Sequence, residues 1–231
     1  MANSIFGDRN KYDRQLNKGI RLSGESKEYF ARNRIAALKR NLPQDFNPSK
    51  VLDFGCGTGE SCRFLKEQFP AAHIYGYEID SSELDSAVRN NSLQGVEYIG
   101  PDDYRRIDRI DLCYVNGVFH HIPLHLRSEA LDSIYLKLKH GGHFAFFENN
   151  PWNLGALLVM KLIPFDKGAI PISPWQAKKV LYDAGFQFVS KPLFLFYFPR
   201  ILSPLRFMEP YLAYLPLGAQ YFFHCYKGTI I

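Results

Sequence analysis

Short apolar runs alternate with amphipathic segments from residue 50 to residue 149. Runs of about five residues bounded by turn residues predict buried strands, and the segments between them show helical spacing of apolar positions. The runs are KVLDF (50–54), HIYGYEI (73–79), VEYIG (96–100), IDLCYVN (110–116) and HFAFFE (143–148). A regular alternation of strand and helix predicts an α/β fold, with a mostly parallel sheet covered by helices on both faces.

The last third of the chain departs from this rhythm. A helix is predicted from Ser173, its cap, to Gly185, and two long strands are predicted at 186–198 and 219–228. A further helix is predicted from about 201 to 214, because a structureless link of that length is improbable. The two late strands leave no room for a full crossover, so one of them is expected to run antiparallel at the sheet edge.

We therefore expect a single domain over residues 1–231, with no repeat and no low-complexity linker. Residues 1–44 are predicted to form an N-terminal helical cap. Residues 149–172 and 199–218 are predicted to be insertions near the site where a substrate binds.

Composition narrows the class of protein without identifying it. Hydrophobic residues make up 46% of the 231 residues and the net charge is +5, with no long run of Lys or Arg. A nucleic-acid groove is therefore not expected. The four cysteines form no C-x-x-C pair, which indicates a reduced, cytoplasmic protein without a zinc site. His121 and His125 are separated by Pro123, which argues against a shared metal-binding helical face.

A glycine-rich turn, GCGTG, follows the first predicted strand. Glycines at such a turn let the backbone approach a nucleotide, and the N-terminus of the next helix offers free N–H groups. Gly55, Gly57 and Gly59 give the spacing G-x-G-x-G, and Glu60 occupies the position of the third glycine in the dinucleotide fingerprint. A carboxylate there would repel a pyrophosphate, which disfavours NAD and FAD.

Acidic residues at the strand ends favour a different nucleotide. Asp53 precedes the glycines, where a carboxylate suits the ammonium and sulfonium groups of S-adenosylmethionine (SAM). Glu78 ends the second strand, where a carboxylate can accept hydrogen bonds from both ribose hydroxyls. Asp102 or Asp103 is a candidate acceptor for the adenine amino group, and each is equally a candidate turn residue. The following helix is expected to be capped by Asp80, Ser81 or Ser82.

These motifs resemble those of class I SAM-dependent methyltransferases. VLDFGCGTG matches the first motif of that superfamily, YGYEIDSS the second and DLCYVNGVFHHI the fourth. The later segments FFENNPWN, AGF, FYFPR and PLGAQY resemble a bacterial branch of small-molecule methyltransferases. The resemblance implies a Rossmann-like, seven-stranded sheet with one antiparallel strand. It also implies cofactor contacts at Cys56, Ile79 and Asn116. Asn149 departs from the branch, in which a histidine is expected before the Asn-Pro pair.

Candidates for the chemistry follow the fourth and fifth strands, because ligands bind beyond the carboxyl ends of parallel strands. His120 is a candidate general base. His121 is either a catalytic residue or a residue that orders its loop. Glu148 is a base, a substrate acceptor or a strand-end carboxylate. Ser23, Gly24 and Glu25 are predicted either to close over the cofactor or simply to begin a helix.

The expected function is methyl transfer from SAM to a small acceptor, with hydrophobic and lipid-linked acceptors among the candidates. The alternatives are an NAD(P)-dependent oxidoreductase and a non-catalytic protein that keeps the SAM fold. The late aromatic segments, LFLFYF (193–198) and YFF (221–223), are expected to pack internally, to line the acceptor pocket or to contact a membrane peripherally. No oligomeric state is predicted.

Overall fold

The computed structural model describes residues 23–162 and 168–228. Within these residues the chain forms one sheet of eight strands in the order β3-β2-β1-β4-β5-β8-β6, with β7 pairing beside β8. The strands are β1 Lys50–Phe54, β2 His73–Tyr77, β3 Val96–Ile99, β4 Ile110–Asn116, β5 Leu138–Asn149, β6 Phe188–Val189, β7 Leu193–Leu195 and β8 Gln220–Tyr226. Strands β1 to β5 pair in parallel, whereas β8 runs antiparallel to β5, β6 and β7.

The described residues form eight α-helices, and most of them come after a strand in the chain. They are α1 Lys27–Asn41, α2 Glu60–Gln68, α3 Ser81–Asn90, α4 Pro101–Tyr104, α5 Arg127–Lys137, α6 Leu154–Leu162, α7 Pro174–Asp183 and α8 Glu209–Leu212. Helix α7 begins with the predicted cap. The Ser173 side chain accepts a hydrogen bond from the Gln176 amide, and the Gln176 side-chain oxygen accepts one from the Ser173 amide. None of these helices is long and apolar enough to cross a bilayer.

Side chains alternate along the strands into two buried clusters, one on each face of the sheet. On β4, Cys113 and Val115 pack on one face, and Leu112 and Tyr114 pack on the other. Both faces are apolar because helices cover both, as is usual for a parallel sheet. The carboxyl ends of β1, β2 and β4 consequently meet at one edge of a rigid layer.

The fold class predicted from the sequence is confirmed, including the single antiparallel strand. The strand count is eight rather than seven, because the predicted strand at 186–198 divides into β6 and β7. At the division, Ser190 still donates its amide to His224, whereas Pro192 has no N–H to continue the ladder.

The predicted helix at 201–214 is likewise irregular. A 3₁₀ segment, Arg200–Met208, contains Pro204 and a non-helical Leu202 before the short α8. Residues 1–22 of the predicted cap and residues 163–167 of the first insertion lie outside the described residues. The division of the chain into a cap and two insertions stays a prediction.

Candidate cofactor and acceptor site

The glycine turn links β1 to α2 at the carboxyl edge of the sheet. Gly59 caps α2 with a left-handed φ of 84°. A Cβ at Gly59 would lie 2.6 Å from the Tyr98 hydroxyl, so a larger residue would meet both backbone strain and a steric clash. The amides of Gly55 and Cys56 donate to the Tyr77 carbonyl, which fixes the turn against β2. The helix N-terminus therefore faces the edge where ligands bind in such sheets.

Glu78 holds this turn in place. Its Oε2 accepts a hydrogen bond of 2.8 Å from the Gly57 amide, and its Oε1 accepts from the amides of Ile79 and Asp80. The carboxylate is 8% exposed. A carboxylate has about four lone-pair sites, so three amides leave room for a ligand hydroxyl. Contact between Glu78 and a ribose stays a prediction. The structure shows in addition that Glu78 joins the glycine turn to the end of β2.

The residues after β2 and β3 surround the same edge. Ile79 is 74% exposed and offers an apolar surface to a ring. Asp80 caps α3 as predicted, accepting hydrogen bonds from the amides of Ser82 and Glu83. Asp102 is exposed in α4, and Asp103 forms an ion pair with Arg106 at 2.8 Å.

Asp53 is more deeply buried than a carboxylate that is accessible to a ligand. It is 2% exposed, and its Oδ2 accepts from the Cys62 thiol of α2 at 3.4 Å. Burial raises the pKa of Asp53 to about 7, and the nearby Glu78 carboxylate adds to the rise. A direct contact between Asp53 and a ligand ammonium stays a prediction. Cys56 is buried beside this group, with its Sγ 3.6 Å from the Gly57 carbonyl oxygen.

Arg34 is a buried charge that the sequence patterns did not indicate. It lies on α1 and is 9% exposed, and it donates to the Tyr114 hydroxyl at 3.2 Å and to Gln220 Oε1 at 3.1 Å. The Arg34 charge lowers the pKa of Asp53, opposing the larger effect of burial. This guanidinium therefore joins the N-terminal helix to β4 and β8 and places a positive charge beneath the site.

Asn116 ends β4 next to the glycine turn. Its Oδ1 is buried, and among the described residues it is the one buried side-chain oxygen or nitrogen without a hydrogen-bond partner. An unpaired buried acceptor costs about 1–3 kcal/mol, so natural structures rarely retain one without a use. The following Gly117, with φ of 66°, turns the chain away from the strand. This acceptor fits a ligand that brings an N–H group to the strand end.

His120 and Glu148 form a buried pair between the ends of β4 and β5. His120 Nδ1 lies 2.7 Å from Glu148 Oε2, and the residues are 4% and 1% exposed. Glu148 Oε1 also accepts from the Phe119 amide at 2.7 Å. Burial acts to raise the pKa of Glu148, but the His120 side chain and these amides outweigh it and lower the pKa. Glu148 is therefore ionised at neutral pH, and its Oε2 is placed to accept a hydrogen bond from a protonated His120 Nδ1.

The remaining candidates occupy the rim of the site. His121 is exposed, with its ring centroid 4.1 Å from that of His120. Asn149 uses its Oδ1 to accept from Gln220 Nε2. Asn150 is fully buried and donates to the carbonyl oxygens of Pro216 and Gly218, which ties the second insertion to the end of β5.

The start of α1 contacts the second insertion. Glu25 pairs with Arg206 at 2.9 Å, and Phe30 packs edge-on to Phe196 with ring centroids 4.8 Å apart. Phe196 has a φ of 63°, which is rare outside glycine. The predicted lid residue Glu25 is thus anchored at the insertion, and closure over a cofactor stays a prediction.

The polar groups at this edge fit SAM. The N-terminus of helix α2 suits the carboxylate of an amino acid, and the Asn116 acceptor suits its ammonium. Glu78 and the exposed Ile79 suit a ribose and an adenine ring. The carboxylates and the missing third glycine match a diphosphate poorly.

Comparison with known proteins agrees with this chemistry. The family described as "Methyltransferase domain" matches residues 26–170. The chain belongs to this methyltransferase family. Its fold is that of the class I SAM-dependent enzymes, and an NAD(P)-dependent oxidoreductase is not favoured.

Individual relatives share part of the sequence. Trans-aconitate 2-methyltransferase of Rhizobium rhizogenes (strain K84) is 30% identical over 42% of this chain and 37% of its own. The enzyme of the same name from Azoarcus sp. (strain BH72) is 28% identical over 67% of this chain and 63% of its own. The methyltransferase chain thus matches less than two thirds of the length of these relatives.

Solved structures extend the likeness in fold. A SAM-dependent methyltransferase from Archaeoglobus fulgidus has a TM-score of 0.68 at 18% identity, covering 93% of this chain and 99% of the other. Phosphoethanolamine N-methyltransferase 2 of Haemonchus contortus, solved with SAM, has a TM-score of 0.60 at 18% identity, covering 85% and 52%. At these identities the likeness concerns the fold alone.

Proposed function

We propose that this methyltransferase transfers the methyl group of SAM to a hydroxyl or amine of a small organic acceptor that carries an apolar portion. The observation that carries the proposal is the unpaired, buried Asn116 Oδ1 at the carboxyl end of β4 in a methyltransferase fold. When bound, SAM supplies a methyl group on a positively charged sulfur, which is already activated for displacement. The protein then has to bind, align and exclude water.

In this proposal the edge of the sheet positions the cofactor. The N-terminus of α2 faces its carboxylate, while Asn116 Oδ1 accepts from its ammonium. Glu78 accepts from the ribose hydroxyls while still holding the glycine turn. Because the turn is fixed by β2 and by the steric limit at Gly59, little reorganisation is needed on binding.

The His120–Glu148 pair supports an acceptor that must lose a proton. In this proposal Glu148 accepts from the Nδ1–H of His120, and Nε2 of the neutral ring is the proton acceptor. The imidazole edge also lies close to the strand end, because a Cβ at Gly117 would be 3.5 Å from His120 Cε1. In the proposed step, the acceptor oxygen or nitrogen would form the bond to the methyl carbon as the sulfur–methyl bond breaks and S-adenosylhomocysteine leaves, and the acceptor proton would pass to His120 Nε2.

The acceptor proposed here differs in class from trans-aconitate, the compound in the names of the relatives. Trans-aconitate is a tricarboxylate, and a carboxylate is a nucleophile that needs no base. Here the insertion that follows β7 exposes Ile201, Phe207 and Tyr211. The chemistry on this side of the sheet therefore favours an apolar acceptor with an ionisable hydroxyl or amine over a small polyanion.

The proposal is tested by supplying methyl-labelled SAM with three acceptors: trans-aconitate, an alkylphenol and a long-chain alkylamine. Labelled product is measured by mass spectrometry for the wild type and for His120→Ala. Label in the phenol or amine, lost in the variant, supports the proposal. Label in trans-aconitate at equal rates in both proteins contradicts it. Bound SAM with no product from any acceptor favours the non-catalytic alternative.

A further inference from the structure

The second insertion contains a segment that buries none of its side chains. No residue of the 3₁₀ segment Arg200–Met208 or of α8 is buried, although the segment includes Ile201, Leu202 and Phe207. An ordinary surface segment of this composition would pack its apolar side chains against the domain. The exposed side chains therefore form a surface that the described residues 23–162 and 168–228 leave uncovered.

Helix α6 of the first insertion also exposes apolar side chains. Leu154, Leu158 and Leu162 follow at four-residue spacing along one face, and they are 83%, 50% and 50% exposed. The buried side of the helix carries Ala156 and Met160. A helix on a water-facing surface normally presents polar residues on the outer side, so a leucine stripe in that position indicates an apolar environment.

The two insertions form one continuous surface, which we call the insertion surface: residues 152–162 and 200–217. Asn153 Nδ2 donates to the Leu217 carbonyl at 2.6 Å, which joins them directly. Tyr214 lines a groove of about 740 Å³ together with Trp175 of α7, and the ring of Trp175 lies 6.3 Å from that of Trp152. Exposed aromatic rings are thus grouped along its border with α7.

Positive charges border this surface. Lys161 and Arg200 belong to it, and Lys178 and Lys191 line the adjoining groove. Its one carboxylate, Glu209, turns inward and accepts hydrogen bonds from the amides of Tyr197 and Phe198. Apolar side chains bordered by cations and by tryptophan and tyrosine complement the interface of a membrane that contains anionic lipids.

We propose that the insertion surface docks this methyltransferase on an anionic lipid membrane, a property that goes beyond the proposed methyl transfer. A second copy of the chain is a weaker candidate for the occupant, because a symmetric contact would bring the same cations face to face. The surface follows directly from the ends of β5 and β7, so docking places the acceptor side of the sheet at the lipid interface. An apolar acceptor then reaches the site without crossing water.

The chain carries its own reporters for docking. Trp152 and Trp175 are its two tryptophans, and both lie at the border of the insertion surface. We expect the protein to sediment with vesicles of phosphatidylcholine and phosphatidylglycerol in equal parts. Its tryptophan emission then shifts to the blue and is quenched by brominated acyl chains. Binding weakens with added salt and with vesicles of phosphatidylcholine alone.

Two double variants distinguish this surface from general hydrophobicity. Phe207→Ser with Tyr211→Ser removes two side chains that are 71% and 86% exposed. Leu136→Ser with Val88→Ser removes two exposed side chains of α5 and α3 and serves as the matched control. We expect the first pair to weaken vesicle affinity by about tenfold or more and the control pair to have little effect. Unchanged affinity for S-adenosylhomocysteine (SAH) confirms that each variant is folded.

Three results overturn the proposal: no sedimentation with anionic vesicles, equal loss of binding in both double variants, or a dimer in solution that only the first pair disrupts. None of these results depends on an acceptor. Vesicle binding by a protein without methyl transfer would leave docking intact and would refute the proposed function alone.

Discussion

His120 Nδ1 lies 2.7 Å from Glu148 Oε2 in a position closed to solvent, between the ends of two neighbouring parallel strands. The same carboxylate accepts amides from the loop that carries the histidine. Glu148 therefore fixes the path of the loop, and we propose that it also sets the tautomer of the ring. The three roles that the sequence left open for Glu148 stay predictions, and this geometry supports a positioning role.

Replacing Glu148 by Gln should change the tautomer of His120 while keeping the side-chain shape. The amide nitrogen of Gln favours the ring form with hydrogen on Nε2, which leaves no acceptor for a substrate proton. We expect about a 100-fold or larger loss of kcat and an exchange of the ¹⁵N shifts of the two ring nitrogens. His125→Ala, at an exposed histidine further along the same loop, is the control and should change neither. A Glu148→Gln enzyme with normal kcat would exclude the positioning role.

Removing the Asn116 amide should weaken cofactor binding specifically. A hydrogen bond to a charged ammonium contributes about 1.5–3 kcal/mol, so Asn116→Ala should lower SAH affinity by about 10- to 100-fold in calorimetry. Asn149→Ala is a matched control on the next strand, because the Asn149 oxygen already accepts from Gln220. Equal affinities for the two variants would remove Asn116 from the cofactor site.

The raised pKa of Asp53 should make stability depend on pH. With a pKa of about 7 in the folded state and 3.8 as the ordinary value, the folded protein binds more protons between these limits. Its stability therefore falls as the pH rises from 5 to 8, by on the order of 2 kcal/mol relative to Asp53→Asn. Urea titrations at both pH values measure this difference.

Asp111→Asn serves as the control, because the pKa of Asp111 is lowered whereas that of Asp53 is raised. Burial acts to raise the pKa of Asp111, but Lys139 and the amides of Lys50 and Ser49 outweigh it and lower the pKa. Asp111 is therefore ionised across this whole range, and its replacement should destabilise the protein equally at pH 5 and pH 8. A pH dependence that Asp53→Asn leaves unchanged would contradict the assignment.

Gly59→Ala should destabilise the protein through two additive effects. The left-handed φ of 84° costs an alanine about 1–2 kcal/mol, and the collision with Tyr98 adds about 1–3 kcal/mol. Gly168→Ala isolates the first effect, because Gly168 has a φ of 99° and nothing within 4 Å of the added Cβ. Equal losses of unfolding free energy in the two variants would show that Tyr98 does not restrict the turn.

Local patterns predicted the sheet, the glycine turn and the caps at Asp80 and Ser173, because each depends on residues close together in the sequence. The Arg34–Tyr114 and His120–Glu148 contacts join residues 80 and 28 positions apart, and no periodicity indicates such pairs. The cluster of Arg32, Arg34, Lys39 and Arg40 in the sequence predicts a solvated helix face, and that prediction is wrong for Arg34, which is 9% exposed. The guanidinium turns inward because Tyr114 and Gln220 supply acceptors there.

The central claim is that this edge of the sheet binds an adenosyl amino acid. It is tested most directly by calorimetric titration of the purified chain with SAH and, separately, with NADH. We predict saturable binding of one SAH per chain, weakened by Glu78→Ala, with no heat of binding for NADH. Saturable binding of NADH with none for SAH would contradict the account.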